Sequence, residues 1–151
     1  MKLSATTVKE LQHFFRQHLN DCELRLPPIT IHAGLSASLM MKAVGMGAIT
    51  FGRHVFIRPA LVKKDDEGRL CIPGWLLAHE IAHVLQYEQK GYLRFFRDYL
   101  RGYWRALRAS KSWVAQGRMV AYMAIAEEQS AREAEHAYRD LSTTKGKLER
   151  D

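Results

Sequence analysis

Residues 76–86 read LLAHEIAHVLQ, and the interpretation of the whole chain starts from this stretch. It contains His79, Glu80 and His83 in the pattern H-E-x-x-H. In a helix, residues four apart share a face, so both imidazoles can reach one metal ion while Glu80 points toward a water on that ion. The pattern predicts a zinc site with Glu80 as general base. The alternative is an amphipathic helix with two surface histidines and a solvated glutamate.

The helix around this stretch should have two different faces. We expect it to run from about Gly74 to Gln89, with Gly91 as its stop. One face is an apolar stripe directed at the core, formed by Leu77, Ile81, Val84 and Leu85. The two histidines and the glutamate lie on another face, so the metal-binding side of the helix is distinct from its core side.

A third metal ligand must come from elsewhere in the chain, because catalytic zinc usually has three protein ligands and an open fourth position. A later helix, predicted from about Arg118 to Leu141, carries Glu127 and Glu128 among small residues. Small neighbours would let this helix approach the motif helix closely. Helical periodicity alone does not choose between the two glutamates.

The N-terminal half predicts one helix followed by a small sheet. Ser4 is suited to cap a helix that runs to about Asn20. Strands are predicted at 29–32, 48–51 and 54–57, with the last two joined by a two-residue turn. Gly52 in the first position of that turn favours a type II′ hairpin. The segment from Gly34 to Gly47 fits either a loop or a short buried segment.

The C-terminal half predicts three helices: the motif helix, one from about Tyr92 to Lys111, and the glutamate-bearing helix after a break near Gln116-Gly117. Together with the small sheet, they give an α+β layout. We expect a single domain over residues 1–141 and a polar, flexible tail at 142–151.

Composition and cysteine usage bound the class of protein. A chain of 151 residues with 47% hydrophobic residues is long enough for one domain with a core. No apolar run reaches the roughly 18 residues of a membrane-spanning helix, and residues 1–10 lack the continuous apolar stretch expected of a signal peptide. We therefore expect a cytoplasmic protein, with export by a non-Sec route still open. Cys22 and Cys71 show no C-x-x-C pairing and are expected to be buried free thiols.

The net charge of +7 is concentrated in residues 90–118, which hold eight cations and the single anion Asp98. Aromatic residues recur between the arginines at helical spacing. This pattern favours a core helix with a solvated basic face. Alternatively, the basic face binds an acidic protein partner, an anionic membrane surface or nucleic acid. Nucleic acid is disfavoured because no nucleic-acid-binding module accompanies the basic stretch.

The stretch at 76–86 resembles the H-E-x-x-H-V-x-Q core of a small gluzincin-type domain, the eCIS core domain, which is common in bacteria. Residues 48–57 resemble its strand-turn-strand approach, and residues 128–131 are similar to the E-x-x-A element of related peptidases. The resemblance covers about Ala48 to Glu135. It implies a compact zincin-like domain with Zn²⁺ as cofactor, Glu80 as general base, and three zinc ligands: His79, His83 and Glu128.

The resemblance also carries expectations about the surroundings of the metal. Gluzincins often place an acid four residues after the ligating glutamate, where this chain has Arg132, so either the second shell differs or Glu127 is the ligand. The strand before the motif helix often binds substrate as an added strand, which makes His54–Ile57 a candidate substrate edge. Three residues are candidates for stabilising the oxyanion: Tyr122, His136 and Tyr138.

These observations lead to the expectation of a zinc-dependent metallopeptidase that hydrolyses peptide or protein substrates. The alternative is a catalytically silent zincin-fold scaffold or interaction module. By the same resemblance, such a module would be associated with bacterial secretion or contractile injection machinery and would dock partners through the basic aromatic helix. An intact Glu80 favours the enzyme, because a structural zinc site does not need a general base.

Overall fold

The computed structural model describes residues 2–34, 37–39, 46–64, 70–110 and 120–148. Its main elements in chain order are helix α1 (Ala5–His18), strands β1 (Thr30–His32), β2 (Ala48–Phe51) and β3 (His54–Ile57), a 3-10 turn (Pro59–Leu61), short strands β4 (Lys63–Lys64) and β5 (Leu70–Cys71), and helices α2 (Gly74–Lys90), α3 (Tyr92–Ser110) and α4 (Ala126–Leu148). The predicted α+β class is confirmed.

Helix α1 begins as its sequence predicts. The Ser4 hydroxyl accepts a hydrogen bond from the Thr7 amide at 3.0 Å, which satisfies one of the free N–H groups at the helix start. The helix ends at His18, two residues before the predicted end at Asn20. Its inward face packs into the core through Leu11, Phe14 and Phe15.

The three-stranded sheet has the order β1-β3-β2. Strand β3 pairs in parallel with β1 and antiparallel with β2. In the turn between β2 and β3, Gly52 has a φ of 59° whereas Arg53 does not have a positive φ, which is the pattern of the predicted type II′ turn. A side chain at Gly52 would collide with the Tyr92 hydroxyl, so this glycine is required for close approach as well.

The position of β3 corrects one prediction. His54–Ile57 was expected to offer a free edge to substrate, but β3 is the central strand and both of its edges are occupied by β1 and β2. Among the described strands, β2 is the one at the outer edge on the side away from β1. The hairpin of β2 and β3 could be predicted from the sequence. The parallel pairing of β3 with β1 could not, because it joins segments far apart in the chain.

Helix α2 is the central helix of the domain. It runs from Gly74 to Lys90. The next residue, Gly91, has a positive φ of 73°, which is typical of the glycine that follows a helix. Its apolar stripe is confirmed, because Leu77, Ile81 and Val84 are buried in the main core. The other face of α2 is also covered, chiefly by α4 and β2.

Helix α4 corrects the prediction for the last helix. After a short helical turn at 120–123, the chain leaves helical geometry at Ala124 and Ile125, and α4 begins at Ala126. This break places Glu127 and Glu128 in the first turn of α4, where the free amides and the helix dipole stabilise carboxylates. The predicted break near 116–117 lies outside the described residues, as do residues 35–36 and 40–45 of the undecided segment.

The end of α4 is also different from the prediction. Residues 142–148, predicted as a flexible polar tail, are helical. Their hydroxyls donate back to main-chain carbonyls of the preceding turn: Ser142 and Thr143 bond to the Arg139 carbonyl, and Thr144 bonds to that of Asp140. Polar side chains satisfied in this way do not end a helix, and α4 continues beyond its predicted end at Leu141 to Leu148. Residues 149–151 of the predicted tail lie outside the described residues.

Two further expectations concern exposed surface. Cys22 and Cys71 are free, as predicted, but both are exposed rather than buried. The prediction of burial was wrong because it rested on the average behaviour of cysteine rather than on a pattern around these two residues.

None of the helices within the described ranges is long and apolar enough to cross a membrane.

Candidate metal centre

His79, His83 and Glu128 meet where the start of α4 crosses α2. One ligand atom from each residue lies within 4.8 Å of the others. The Glu128 carboxylate lies between the imidazoles, with His79 Nε2 at 3.6 Å from Oε2 and His83 Nε2 at 3.5 Å from Oε1. The structure therefore brings the three predicted ligands close enough to hold one metal ion.

Glu127, the reserve candidate for third ligand, points away from this cluster. Its Oε1 accepts a hydrogen bond from Lys90 Nζ at 2.6 Å, near the end of α2. Its carbonyl oxygen accepts a hydrogen bond from Gln86 Nε2 at 3.0 Å. Adjacent helical residues diverge by about 100° around the axis, so only one of the two glutamates can face the histidines.

The outer nitrogen of each histidine has its own partner. His79 Nδ1 lies 3.2 Å from Glu135 Oε2, and His83 Nδ1 lies 2.9 Å from Gln86 Oε1. An oxygen beside Nδ1 favours the tautomer that carries its proton there. In that tautomer, the lone pairs of both Nε2 atoms face the Glu128 carboxylate, as metal-binding histidines require.

Glu135 explains the departure at Arg132 from the gluzincin pattern. The acid beside His79 comes two helical turns after Glu128 rather than one. Arg139 donates to Glu135 at 2.8 Å and also lies over the Trp75 ring at 4.2 Å, which holds the carboxylate in place. Arg132 instead lies over the ring of Tyr122.

If the centre holds a metal ion, replacing Glu135 by Gln is expected to lower the affinity for that ion by roughly 10- to 100-fold, the usual effect of losing an outer-shell carboxylate. The amide cannot supply the charge that makes His79 a stronger ligand. Competition with a chromophoric chelator measures the affinity. Glu133→Gln, an exposed position on the same helix, is the matched control, and equal affinities of the two variants would contradict this role for Glu135.

Glu80 is buried beside the cluster without being part of it. The Thr50 hydroxyl of β2 donates to Glu80 Oε2 at 2.7 Å. Burial raises the pKa of Glu80, and the charges of the nearby imidazoles and the Thr50 hydrogen bond offset this only in part. The carboxylate is thus a stronger base than an exposed glutamate, and it is held in one orientation.

The chemistry of the donor set fits a divalent cation. Glu128 is 3% exposed, and its Oε2 has no hydrogen-bond partner. A buried carboxylate oxygen without a partner costs free energy, which a cation between it and the two imidazoles would remove. Two imidazoles with one carboxylate are a ligand set typical of catalytic zinc.

The ionisation of Glu128 also suits a metal ligand. Burial alone would raise the pKa of this carboxyl, but the adjacent His79 and His83 imidazoles and the Tyr122 phenol lower it overall. The carboxylate therefore remains ionised at neutral pH, as metal coordination requires.

A cavity of about 350 Å³ opens onto the cluster. It is lined by the two histidines, Glu80 and Glu128, which we call its floor, by residues of β2, and by aromatic residues of α3, which we call the α3 wall. The α3 wall consists of Phe95, Phe96 and Tyr99. Outside the cluster the lining is almost entirely apolar, so the cavity is suited to an apolar group held next to the polar floor.

Two phenols reach Glu128 from the cavity side. Tyr99 donates to Glu128 Oε1 at 3.1 Å, and the Tyr122 phenol lines the same cavity beside this carboxylate. Burial and the adjacent negative charge raise the pKa of both phenols, so both stay protonated donors at neutral pH. Of the three oxyanion candidates, only Tyr122 lines the cavity: His136 is exposed on α4, and Tyr138 packs against Phe14.

The sequence did not identify Tyr99 as a residue of the candidate metal centre, because Tyr99 was grouped there with the aromatic residues of the basic helix. Its spacing of four from Phe95 does place it on the buried face of α3. That spacing could have identified it as inward-facing. It could not have shown that this face of α3 covers the motif face of α2.

A buried H-E-x-x-H helix whose histidines converge on a glutamate of a later helix gives an α+β domain with a candidate metal site. Residues 2–91 match the family model of the eCIS core domain, and the chain belongs to this family. The match begins earlier than the resemblance noted in the sequence and ends before α3 and α4, so it includes His79, Glu80 and His83 but not Glu128. No curated protein and no solved structure shows a significant match to the chain.

Proposed function

We propose that this protein is a zinc-dependent metallopeptidase of gluzincin type, with His79, His83 and Glu128 as ligands and Glu80 as general base. The observation that carries the proposal is the convergence of the three ligand atoms within 4.8 Å beside a buried glutamate that is not needed as a ligand. A purely structural site would have no use for Glu80 at this position.

Zinc, when bound, supplies a water of lowered pKa and polarises the carbonyl of the scissile bond. Glu80 accepts the proton of the attacking water and returns it to the nitrogen of the leaving amine. The Thr50 hydroxyl holds Glu80 Oε2, which keeps the carboxylate in one orientation throughout both proton transfers. Tyr122, protonated and within the cavity, is the donor best placed to stabilise the developing oxyanion.

The substrate is expected to bind along β2 rather than β3. Strand β2 has an edge without a strand partner in the described structure, and its residues 48–51 line the cavity. An extended peptide added to that edge would run across the floor that holds Glu80 and the histidines. The apolar walls favour a substrate with an apolar side chain next to the scissile bond.

The test of the proposed function combines metal analysis with cleavage of a peptide library. The purified protein is expected to contain about one zinc per chain, to cleave a subset of peptides enriched in apolar residues, and to lose activity on chelation and regain it when zinc is restored. Bound zinc without cleavage of any peptide would favour the silent scaffold. Absence of zinc binding would overturn the peptidase proposal.

Replacing Thr50 by Val should lower kcat/KM by roughly 10- to 100-fold while zinc content stays unchanged, because Glu80 loses the donor that orients it. Steady-state kinetics on a cleaved library peptide measure the effect. Thr30→Val is the matched control, since it makes the same change on β1 of the same sheet. Wild-type kinetics in Thr50→Val would rule out this positioning role.

A further inference from the structure

Helix α3 carries an exposed apolar ridge along one of its faces, and only Phe96 of this ridge also lines the cavity. Four large apolar residues form this surface, which we call the α3 ridge. They are Leu93 (90% exposed), Phe96 (39%), Leu100 (52%) and Trp104 (48%). Their spacing of three, four and four places them along one line of the helix. A ridge of this size beside a core helix is unusual, because large apolar side chains in a line are normally covered.

A row of arginines flanks the α3 ridge. The five exposed residues are Arg94, Arg97, Arg101, Arg105 and Arg108. Asp98 lies near the first two, at 3.9 Å from Arg94 and 3.2 Å from Arg97. Within the described part of the chain, no carboxylate pairs with the other three. Together with Trp104, these three arginines surround one surface depression.

The chemistry of this surface selects one kind of partner. Nucleic acid or an acidic protein would match the arginines but would not by itself require a continuous line of leucine and tryptophan. An anionic bilayer matches both features, because lipid phosphates pair with guanidinium groups while leucine and tryptophan enter the boundary between headgroups and acyl chains. Tryptophan in particular is favoured at that boundary.

We propose that the α3 ridge and its arginine row dock the protein on an anionic lipid bilayer, with α3 parallel to the membrane surface. The adjoining face of α3 lines the cavity through Phe95 and Tyr99, and Phe96 lies at the boundary between the two faces. Docking therefore holds the candidate metal centre beside the membrane. The proposal does not depend on peptidase activity, since it rests on surface residues outside the metal centre.

Vesicle flotation tests the proposal on the full chain. We expect binding to phosphatidylcholine vesicles that contain phosphatidylglycerol, little binding to phosphatidylcholine alone, and release by salt. The triple change Arg101→Gln, Arg105→Gln, Arg108→Gln should weaken binding by about five-fold per arginine, on the order of 100-fold in total. The double change Leu93→Ser, Leu100→Ser should weaken it by on the order of 10-fold or more.

The matched controls carry the same kinds of change elsewhere. Arg25→Gln and Leu141→Ser replace exposed residues outside α3 and should leave vesicle binding unchanged. In a Trp75→Phe, Trp113→Phe variant, Trp104 is the remaining tryptophan, and brominated lipids should quench its fluorescence. Circular dichroism confirms that each variant retains its helical content.

Three outcomes would overturn the docking proposal. One is equal binding to neutral and anionic vesicles, or no binding to either. Another is unchanged vesicle binding after the leucine replacements, together with comparable affinity for polyglutamate or duplex DNA, which would assign the arginines to an acidic protein or a nucleic acid. The third is Trp104 fluorescence that brominated lipids do not quench while the protein is bound to vesicles.

Discussion

The Glu80→Gln protein should bind zinc as the wild type does and should have lost peptide cleavage, with kcat/KM lower by on the order of 10³-fold or more. Glutamine keeps the shape of the side chain and its contact with Thr50 but cannot accept a proton from water. Because Glu80 is not one of the converging ligands, the metal content should not change.

The measurement pairs zinc content with kinetics on the best library peptide. Glu88→Gln is the matched control on the same helix: Glu88 pairs with Arg53 at the surface, so its replacement should affect neither zinc nor cleavage. Cleavage retained at the wild-type rate in Glu80→Gln would refute the proposed mechanism. Loss of zinc from this variant would instead show that Glu80 is a ligand.

Glu128→Gln should lose zinc affinity by more than the roughly 10- to 100-fold that outer-shell changes produce, because it removes a ligand and its charge. Glu127→Gln, one residue earlier, should bind zinc normally because Glu127 pairs with Lys90 instead. The two variants differ only in which neighbouring carboxylate is neutralised, so general effects on α4 cancel in the comparison.

Thermal unfolding gives a readout that does not require activity. At zinc concentrations about 100 times the dissociation constant, binding adds about 2.7 kcal/mol to the free energy of unfolding, which corresponds to a rise in Tm of roughly 5–10 °C. This rise should occur in the wild type and in Glu127→Gln and be absent in Glu128→Gln. An equal rise in both variants would remove Glu128 from the ligand set.

Several features that matter for function depend on relations between distant segments. The substrate edge is the plainest case: the hairpin of β2 and β3 was visible in the sequence, but β1 pairs with β3, and this leaves β2 as the edge beside the cavity. Similarly, Glu135 of α4 supports His79 of α2 across 56 residues of chain, whereas Gln86 supports His83 within the same helix. No local pattern connects residues that are joined only by packing.

By itself, the sequence determined the α+β class, the helix that presents His79, Glu80 and His83 on one face, and the hairpin that precedes it. These features follow from periods of 3.6 and 2 residues within single elements, so neighbours along the chain suffice to predict them. Only the tertiary structure placed Glu128 rather than Glu127 beside the two histidines. Helix α4 begins after the break at residues 124–125, and the rotation of α4 about its axis decides which glutamate faces the histidines and which faces Lys90.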